Sequence, residues 1–452
     1  DKESNKNQAG QDNQSGQSGQ DNQSGQNGQA GQDNQSEQSG QEGENPTKKD
    51  DEAVVIPNPP KAPTNVKVSG TRRNVAYYTS WSAYARNVLV KDIDASLITH
   101  LNFAFANLNP DGTVVIGDSW VDVEKPMGGE SWDSPADSKG HFAQLRALKK
   151  KYPHLKTLIS VGGWTWSNNF SDVAADASKR KKFATSAVEF CTKFGFDGID
   201  IDWEYPVEGG NNITHRKEDK QNFTKLLAEI RGEIKAKNKP YLLTIAAGGN
   251  ANFTKNTEPK EMMKYLDFMN IMNYDYHGAW DKTTNHNTPL YANPKDKTKD
   301  AEFSVDYTIR AYLDAGVKPE DMNMGLAFYG HGWTNVTSKT NNGLLQPGAA
   351  ATGAGFGSGT WEGGSFDYKD IIDNYIGKAG YKRYWDDIAK VPYLYNGTSF
   401  ISYDDKESLG YKLNYAESKK LGGTMFWEFT GDKNNELQKQ IASFYGNHLA
   451  VK

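Results

Sequence analysis

Phe196-Asp197-Gly198-Ile199-Asp200-Ile201-Asp202-Trp203-Glu204-Tyr205-Pro206 alternates acid with apolar bulk. Read as a strand, the run puts Asp200, Asp202 and Glu204 on one face and Ile199, Ile201 and Trp203 on the other. Three carboxylates on a buried face repel one another and lose hydration, so a purely structural strand rarely carries them. The apolar face is fit to pack on helices. At a rise of roughly 3.3 Å per residue, Asp202 lies about 7 Å from Glu204 and Asp200 about 13 Å from it. Asp200 therefore acts on Asp202 rather than on a substrate held by Glu204. Such a row raises one carboxyl pKa and can pass a proton along itself. Tyr205-Pro206 stops the strand, which leaves Glu204 nearest its C-terminal end, where a barrel keeps its active site. Glu204 is the candidate general acid.

Two other readings of the run are open. Hard cations take oxygen ligands, but an EF-hand carries its acids on a loop with Gly at the sixth position, where this run has Tyr205. The run could also be an acid-rich strand end with a structural role only.

Asp197, Asp200, Asp202 and Glu204 form Asp-x-x-Asp-x-Asp-x-Glu, which resembles the signature of glycoside hydrolase family 18, the retaining chitinases. Three more stretches agree in order: Ser160-Val161-Gly162-Gly163-Trp164, Met272-Asn273-Tyr274-Asp275 and Gly422-Gly423-Thr424-Met425-Phe426-Trp427. The resemblance runs from about Asn74 to the end of the chain. One departure stands out: Tyr329-Gly330-His331-Gly332-Trp333 has His331 where the family pattern has Arg. The Arg usually contacts substrate and nearby acids, and that role is not carried over to His331. A lone histidine here reads as a hydrogen-bonded wall residue; lying in the cleft, it would make affinity change near its own pKa.

The pattern of elements is of one kind from residue 74 onward. Strand signals at 74–78, 99–105, 157–162, 197–204, 242–247, 268–274, 323–329 and 423–427 alternate with helical stretches. One of these, 217–237, carries Phe223, Leu226, Leu227, Ile230 and Ile234 on one face. The fold class expected is α/β, a (β/α)8 TIM barrel over residues 74–452. The gap between the seventh and eighth strands is too long for one crossover helix, and 331–402 reads as a small α+β insertion; in the resembled family such an insertion forms a cleft wall. The connection between the second and third strands, carrying Trp120 and Trp132, is also long, and long loops in a compact fold are usually functional.

Residues 1–60 are different material. Gly10-Gln11-Asp12-Asn13-Gln14-Ser15 recurs from Gly19 and from Gly31 in a Gln/Ser/Gly/Asn-rich tract that cannot build a core; a disordered low-complexity linker is expected. The Pro57, Pro59, Pro60, Pro63 cluster stiffens it into a spacer, which points to a missing N-terminal module, a carbohydrate-binding or wall-anchoring one, with a simple solubilising tail as the other reading. Ala62 to Gly70 resembles the opening strand of a fibronectin type III module, but the barrel begins too soon after it, so it reads as a remnant or a clasp.

Net charge is −5, which advertises no basic surface for nucleic acid. No run of 18 apolar residues exists, so no membrane span is expected. The single cysteine, Cys191, excludes an internal disulfide and reads as a small buried hydrophobe. All eleven tryptophans lie after residue 80, and aromatic faces stack on pyranose rings. Trp203 faces the helices by alternation and is assigned to packing.

What the resemblance implies is specific. Glu204 protonates the glycosidic oxygen; the sugar's own N-acetyl oxygen attacks the anomeric carbon; Asp202 orients the acetamide; Asp200 shares a proton with Asp202; Tyr274 and Asp275 hold the acetamide oxygen and the distorted sugar. Trp427 floors the sugar, Trp164 and Trp280 flank it, and Tyr329, Met272, Tyr77 and Phe105 line the site. No metal or cofactor is implied. The expected activity is retaining hydrolysis of chitin or chitooligosaccharides by a secreted, extracellular monomer with no nucleic-acid or membrane partner. The alternatives are a family 18 endo-β-N-acetylglucosaminidase acting on N-glycans and a non-catalytic chitin-binding lectin; such lectins usually lose the terminal Glu, which is present here.

Overall fold

The computed structural model describes residues 60–296 and 302–450. The low-complexity tract expected over 1–60 falls almost wholly outside them. Eight parallel strands form the barrel: Arg73–Thr79, His100–Leu108, Lys156–Gly163, Gly198–Trp203, Leu242–Ala247, Phe268–Ile271, Met322–Ala327 and Gly423–Trp427. Neighbours in sequence pair in order, and the first strand pairs with both the second and the eighth, which closes the ring. The (β/α)8 barrel expected from the strand pattern is the fold observed.

Period-two alternation sorts the strands' side chains. Ile159 and Val161, Ile199 and Ile201, and Leu243 and Ile245 join the apolar layer under the helices. Ser160, Asp200 and Thr244 are register partners on three adjacent strands, so they form one inward polar row. Trp203 points out, stacked on Phe170 at 5.5 Å and edge-on to Phe223 at 5.0 Å. Helix Ala177–Phe194 begins at Asp176, whose side chain accepts from the Lys179 N–H, and ends at Gly195, whose left-handed φ of 83° favours glycine. Cys191 lies on its buried face, and burial pushes its thiol pKa up. Helix Asp219–Ala236 buries the five apolar residues that the sequence places on one face.

Three strands end short of their sequence signals, the seventh at Ala327 because Tyr329 opens a separate strand. The sixth ends at Ile271, because Asp275 takes a left-handed φ of 58° and its N–H binds Asn287 Oδ1 at 2.7 Å rather than a neighbouring strand. The fourth ends at Trp203, and the Glu204 N–H is taken by Ser167 Oγ at 3.0 Å. Met272–Asp275 and Glu204 thus sit on the barrel's C-terminal rim.

Between the seventh and eighth barrel strands lies a second, antiparallel sheet. Its strands are Tyr329–Thr334, Ala349–Ala350, Ser365–Asp367, Lys382–Asp386, Val391–Tyr395 and Phe400–Ser402. Both faces are covered: Phe366, Leu394 and Ile401 pack in one small core, and Trp333, Tyr393, Tyr395 and Phe400 in another. Asn287 stitches this sheet to the rim, its N–H donating to Ser402 Oγ at 2.7 Å and its Nδ2 to the Tyr329 carbonyl at 3.2 Å.

No strand forms over 62–70. The segment instead lies on helix Lys406–Ser418: the Val66 N–H donates to Asn414 Oδ1, Asn414 Nδ2 donates to the Thr64 carbonyl, and the Ser69 N–H donates to Glu417 Oε1. Among the described residues no helix is long and apolar enough to cross a membrane.

Candidate active site

Everything at the rim is organised around the acid row. Asp200, Asp202 and Glu204 are all fully buried. Asp200 receives three hydroxyls: Tyr77 at 2.7 Å and Ser160 at 2.8 Å on Oδ2, and Thr244 at 2.8 Å on Oδ1. The Tyr77 hydroxyl also lies 3.1 Å from Asp202 Oδ2. Burial pushes the Asp202 carboxyl well above the usual range, Asp200 adds to the shift by charge and hydrogen bond, Glu204 adds by charge, and the Tyr77 contact opposes it. Asp202 therefore keeps its proton to higher pH than a free aspartate would. Asp197, the remaining acid of the run, is elsewhere: at the opposite end of the strand it binds Lys149 Nζ at 2.9 Å and the Thr157 N–H at 2.9 Å. It anchors the strand and does not join the row.

Tyr274 and Asp275 follow the sixth strand. Burial, then the charges of Asp275, Glu204, Asp202 and Asp200, push the Tyr274 phenol upward, so the ring stays neutral beside the acids. Asp275 Oδ1 accepts from the Tyr329 hydroxyl at 2.6 Å and from His331 Nε2 at 2.7 Å, while its buried Oδ2 has no hydrogen-bond partner among the described residues. An aromatic floor lies beside these acids. Trp427 is buried between Tyr77 (centroids 5.2 Å apart) and Phe105, with which it stacks at 6.1 Å, and Trp81 approaches it at 6.4 Å. Trp164 packs against Tyr205, and half-buried Trp280 meets the His331 ring at 5.0 Å. Met272 is fully buried. Directly after Trp427, Glu428 is buried and its carboxyl rises to about 7 by desolvation, opposed by Arg86 and reinforced by Asp367 of the insertion. Arg86 in turn sits 4.7 Å over the Trp361 ring, and Trp361 Nε1 donates to Asp367 at 2.9 Å.

Sequence reasoning gave no role to three groups that shape the site, although Ser160 opens one of the family-like stretches. Ser167 ties the third-strand loop to the acid strand, donating to the Gly163 carbonyl at 2.6 Å while accepting from Glu204; nothing in its local pattern marks it. Thr244 and Ser160 had a signal: each is a polar residue in the inward phase of an apolar strand. Outside the rim, Trp120 (42 % exposed) and Trp132 (61 % exposed) stack on each other at 5.3 Å on the loop between the second and third barrel strands.

A buried acid row with a neutral tyrosine, a second carboxylate and an aromatic floor at the mouth of a (β/α)8 barrel fits a glycoside hydrolase. Residues 73–432 match the model of the glycosyl hydrolases family 18, and the chain belongs to that family. It is 46 % identical over 430 residues to chitinase A1 of Niallia circulans, covering 86 % of this chain and 60 % of that protein. The chain therefore spans less than two thirds of the length of that relative. Endochitinase 1 of Metarhizium robertsii is 37 % identical over 390 residues, covering 84 % of this chain and 86 % of that protein. Among solved structures, chitinase ChiA74 from Bacillus thuringiensis superimposes with a TM-score of 0.78 at 41 % identity, covering 84 % of this chain and 70 % of that one. The Ostrinia furnacalis Group IV chitinase, solved with allosamidin, gives 0.74 at 31 % identity, covering 84 % of this chain and all of the other, 100 %.

Proposed function

We propose that this protein hydrolyses the β-1,4 links of chitin and chitooligosaccharides with retention, using the substrate's own acetamide as nucleophile. The observation that carries the reading is the buried acid row itself, with Asp202 set between Asp200 and Glu204 and its carboxyl pKa pushed up by burial and by its neighbours. A retaining glycosidase of the common kind needs a carboxylate nucleophile about 5–5.5 Å from its acid; here the neighbour of Glu204 is itself a proton holder and a poor nucleophile.

In this reading Glu204 gives its proton to the glycosidic oxygen as the bond to the anomeric carbon breaks. The N-acetyl oxygen of the same sugar closes onto that carbon, forming an oxazolinium ion. Asp202 leaves its proton on Asp200 as it turns toward the substrate, and as a carboxylate it accepts a hydrogen bond from the acetamide N–H and offsets the ring's positive charge. The neutral Tyr274 hydroxyl donates to the acetamide oxygen, and the open Oδ2 of Asp275 accepts from the distorted sugar. Glu204, now a carboxylate, takes a proton from the water that opens the ring. Trp427 floors the reacting sugar, Phe105 and Tyr77 brace that floor, and Trp164, Trp280, Tyr329 and Met272 complete the walls. The sheet over residues 331–402 forms one side of the cleft, and the exposed Trp120–Trp132 pair offers polymer a further flat surface. Every group named comes from one chain, which fits a monomer. An insoluble polymer substrate fits an extracellular, secreted enzyme.

The test is partly deacetylated chitooligosaccharide. Cleavage only where the sugar on the donor side keeps its N-acetyl group supports the acetamide as nucleophile; equal cleavage after glucosamine contradicts it. A second reading, release of single N-acetylglucosamine units, is favoured by the likeness to the family 18 N-acetylglucosaminidase of Paenibacillus barengoltzii, with a TM-score of 0.68 at 31 % identity. Product length on a hexamer separates the two.

A further inference from the structure

His331 sits where two acceptors meet. Its Nε2 is 2.7 Å from Asp275 Oδ1, on the barrel rim, and its Nδ1 is 3.4 Å from the Gly364 carbonyl, in the insertion. A carboxylate and a carbonyl can only accept, and a neutral imidazole carries a single N–H. Only the doubly protonated ring serves both. The groups around it are few: Tyr329 on its own strand, edge-on at 5.5 Å; Trp280 from the loop after the sixth strand, at 5.0 Å; and Ser365 and Ser402 opposite it on the flanking strands. Among the described residues Asp275 is the one carboxylate hydrogen-bonded to it.

We propose that His331 is a positioning residue, held as an imidazolium, that clamps Asp275 and the insertion together and so makes substrate affinity depend on pH. It does not touch the reacting atoms. It acts through Asp275, whose Oδ1 it occupies and whose Oδ2 is left for substrate, and through Trp280. Histidine ordinarily changes charge between about pH 5 and 8. When the ring loses its proton, one of its two hydrogen bonds is lost and the other becomes a neutral one. An arginine, the residue of the resembled family pattern at this position, would stay charged throughout. This chain thus carries a titrating group at the point where the insertion meets the rim.

The proposal rests on the sugar-hydrolase reading, and the experiment separates the two. Kinetics on a soluble chitooligosaccharide are followed from pH 5 to 8.5 for the wild type, His331→Arg and His331→Gln. KM of the wild type rises about fivefold across the range, the difference between a charge-assisted and a neutral hydrogen bond. His331→Arg holds a flat KM near the low-pH value, His331→Gln a flat one near the high-pH value, and kcat keeps the wild-type profile shape in both. A wild-type KM that does not move, or one whose pH dependence survives in either variant, overturns the proposal. In parallel, 13C-labelled histidine reports the ring directly, the His331 signals being assigned by their loss in His331→Gln. Protonation at pH 5.5 and its loss by 8.5 support the clamp, while a ring neutral throughout or charged throughout overturns it. Absence of turnover in the wild type defeats the substrate reading alone, and the ring titration still decides the clamp.

Discussion

The Tyr77 hydroxyl lies 2.7 Å from Asp200 Oδ2 and 3.1 Å from Asp202 Oδ2, so one phenol from the first barrel strand touches both carboxyls of the fourth. The contact opposes the rise in the Asp202 pKa. Tyr77→Phe removes it. The variant keeps its fold and loses activity by about 10- to 100-fold, the worth of a hydrogen bond to a charged group. Its alkaline limb moves to higher pH, because Asp202 holds its proton longer. A pH–rate profile beside a thermal melt checks both.

Asp202→Asn replaces an acid that is costly to ionise in place. Its folded pKa stands well above its unfolded value of about 3.9, so above that pH the unfolded chain releases a proton that the folded chain keeps. Stability is therefore lost as pH rises from about 4 toward the folded value. The amide has no such slope. Thermal melts at pH 4 and 8 should nearly coincide with wild type at the first and exceed it by roughly 2–4 °C at the second, in a protein with almost no activity.

Arg86 faces two acids whose pKa values are raised, buried Glu428 at about 7 and half-buried Asp367. Both carry stability that falls as pH rises through their folded values, and the Arg86 charge limits that fall. Arg86→Ala leaves them uncompensated. The melting temperature drops more at pH 8 than at pH 5, and a uniform drop would assign Arg86 to packing on Trp361 alone.

A methyl added at Gly410 would come within 2.7 Å of Pro63 Cδ. Alanine gains about 1 kcal/mol of helix propensity over glycine, while overpacking costs about 1–3 kcal/mol. Gly410→Ala should change global stability little and push segment 62–70 off its helix. Limited proteolysis reads this as new cleavage between residues 60 and 70.

The Trp120–Trp132 pair is exposed and far in sequence from the acids. Truncating both to alanine should lower turnover of insoluble chitin several-fold while leaving a soluble dimer or trimer hydrolysed at the wild-type rate. Equal loss on both substrates would place the pair in the fold's support.

How much of this was legible follows from where each signal lives. Strand positions and the inward face of Asp200, Asp202 and Glu204 are carried by local alternation, and the barrel follows from eight such strands in turn. The outward packing of Trp203 came from the same rule. Contacts made by ring closure were hidden. Tyr77 reads as a wall aromatic until the first strand is brought across the barrel to the fourth, and Asp197 is a member of the family-like pattern without a role of its own until its Lys149 and Thr157 partners appear. The left-handed turn at Asp275 depends on Asn287, twelve residues further on, and the meeting of His331 with Asp275 depends on how the insertion folds back. Segment 62–70 looked like a strand because extended backbone and strand share one residue preference; a helix, rather than a sheet edge, received it.

The most direct test is hydrolysis of a chitooligosaccharide by the wild type and by Glu204→Gln, with product anomers resolved before they equilibrate. The account predicts β-anomeric products from the wild type and a fall of about 10²- to 10⁴-fold in the variant. Initial α-anomers, or a Glu204→Gln enzyme that keeps most of its rate, would contradict it.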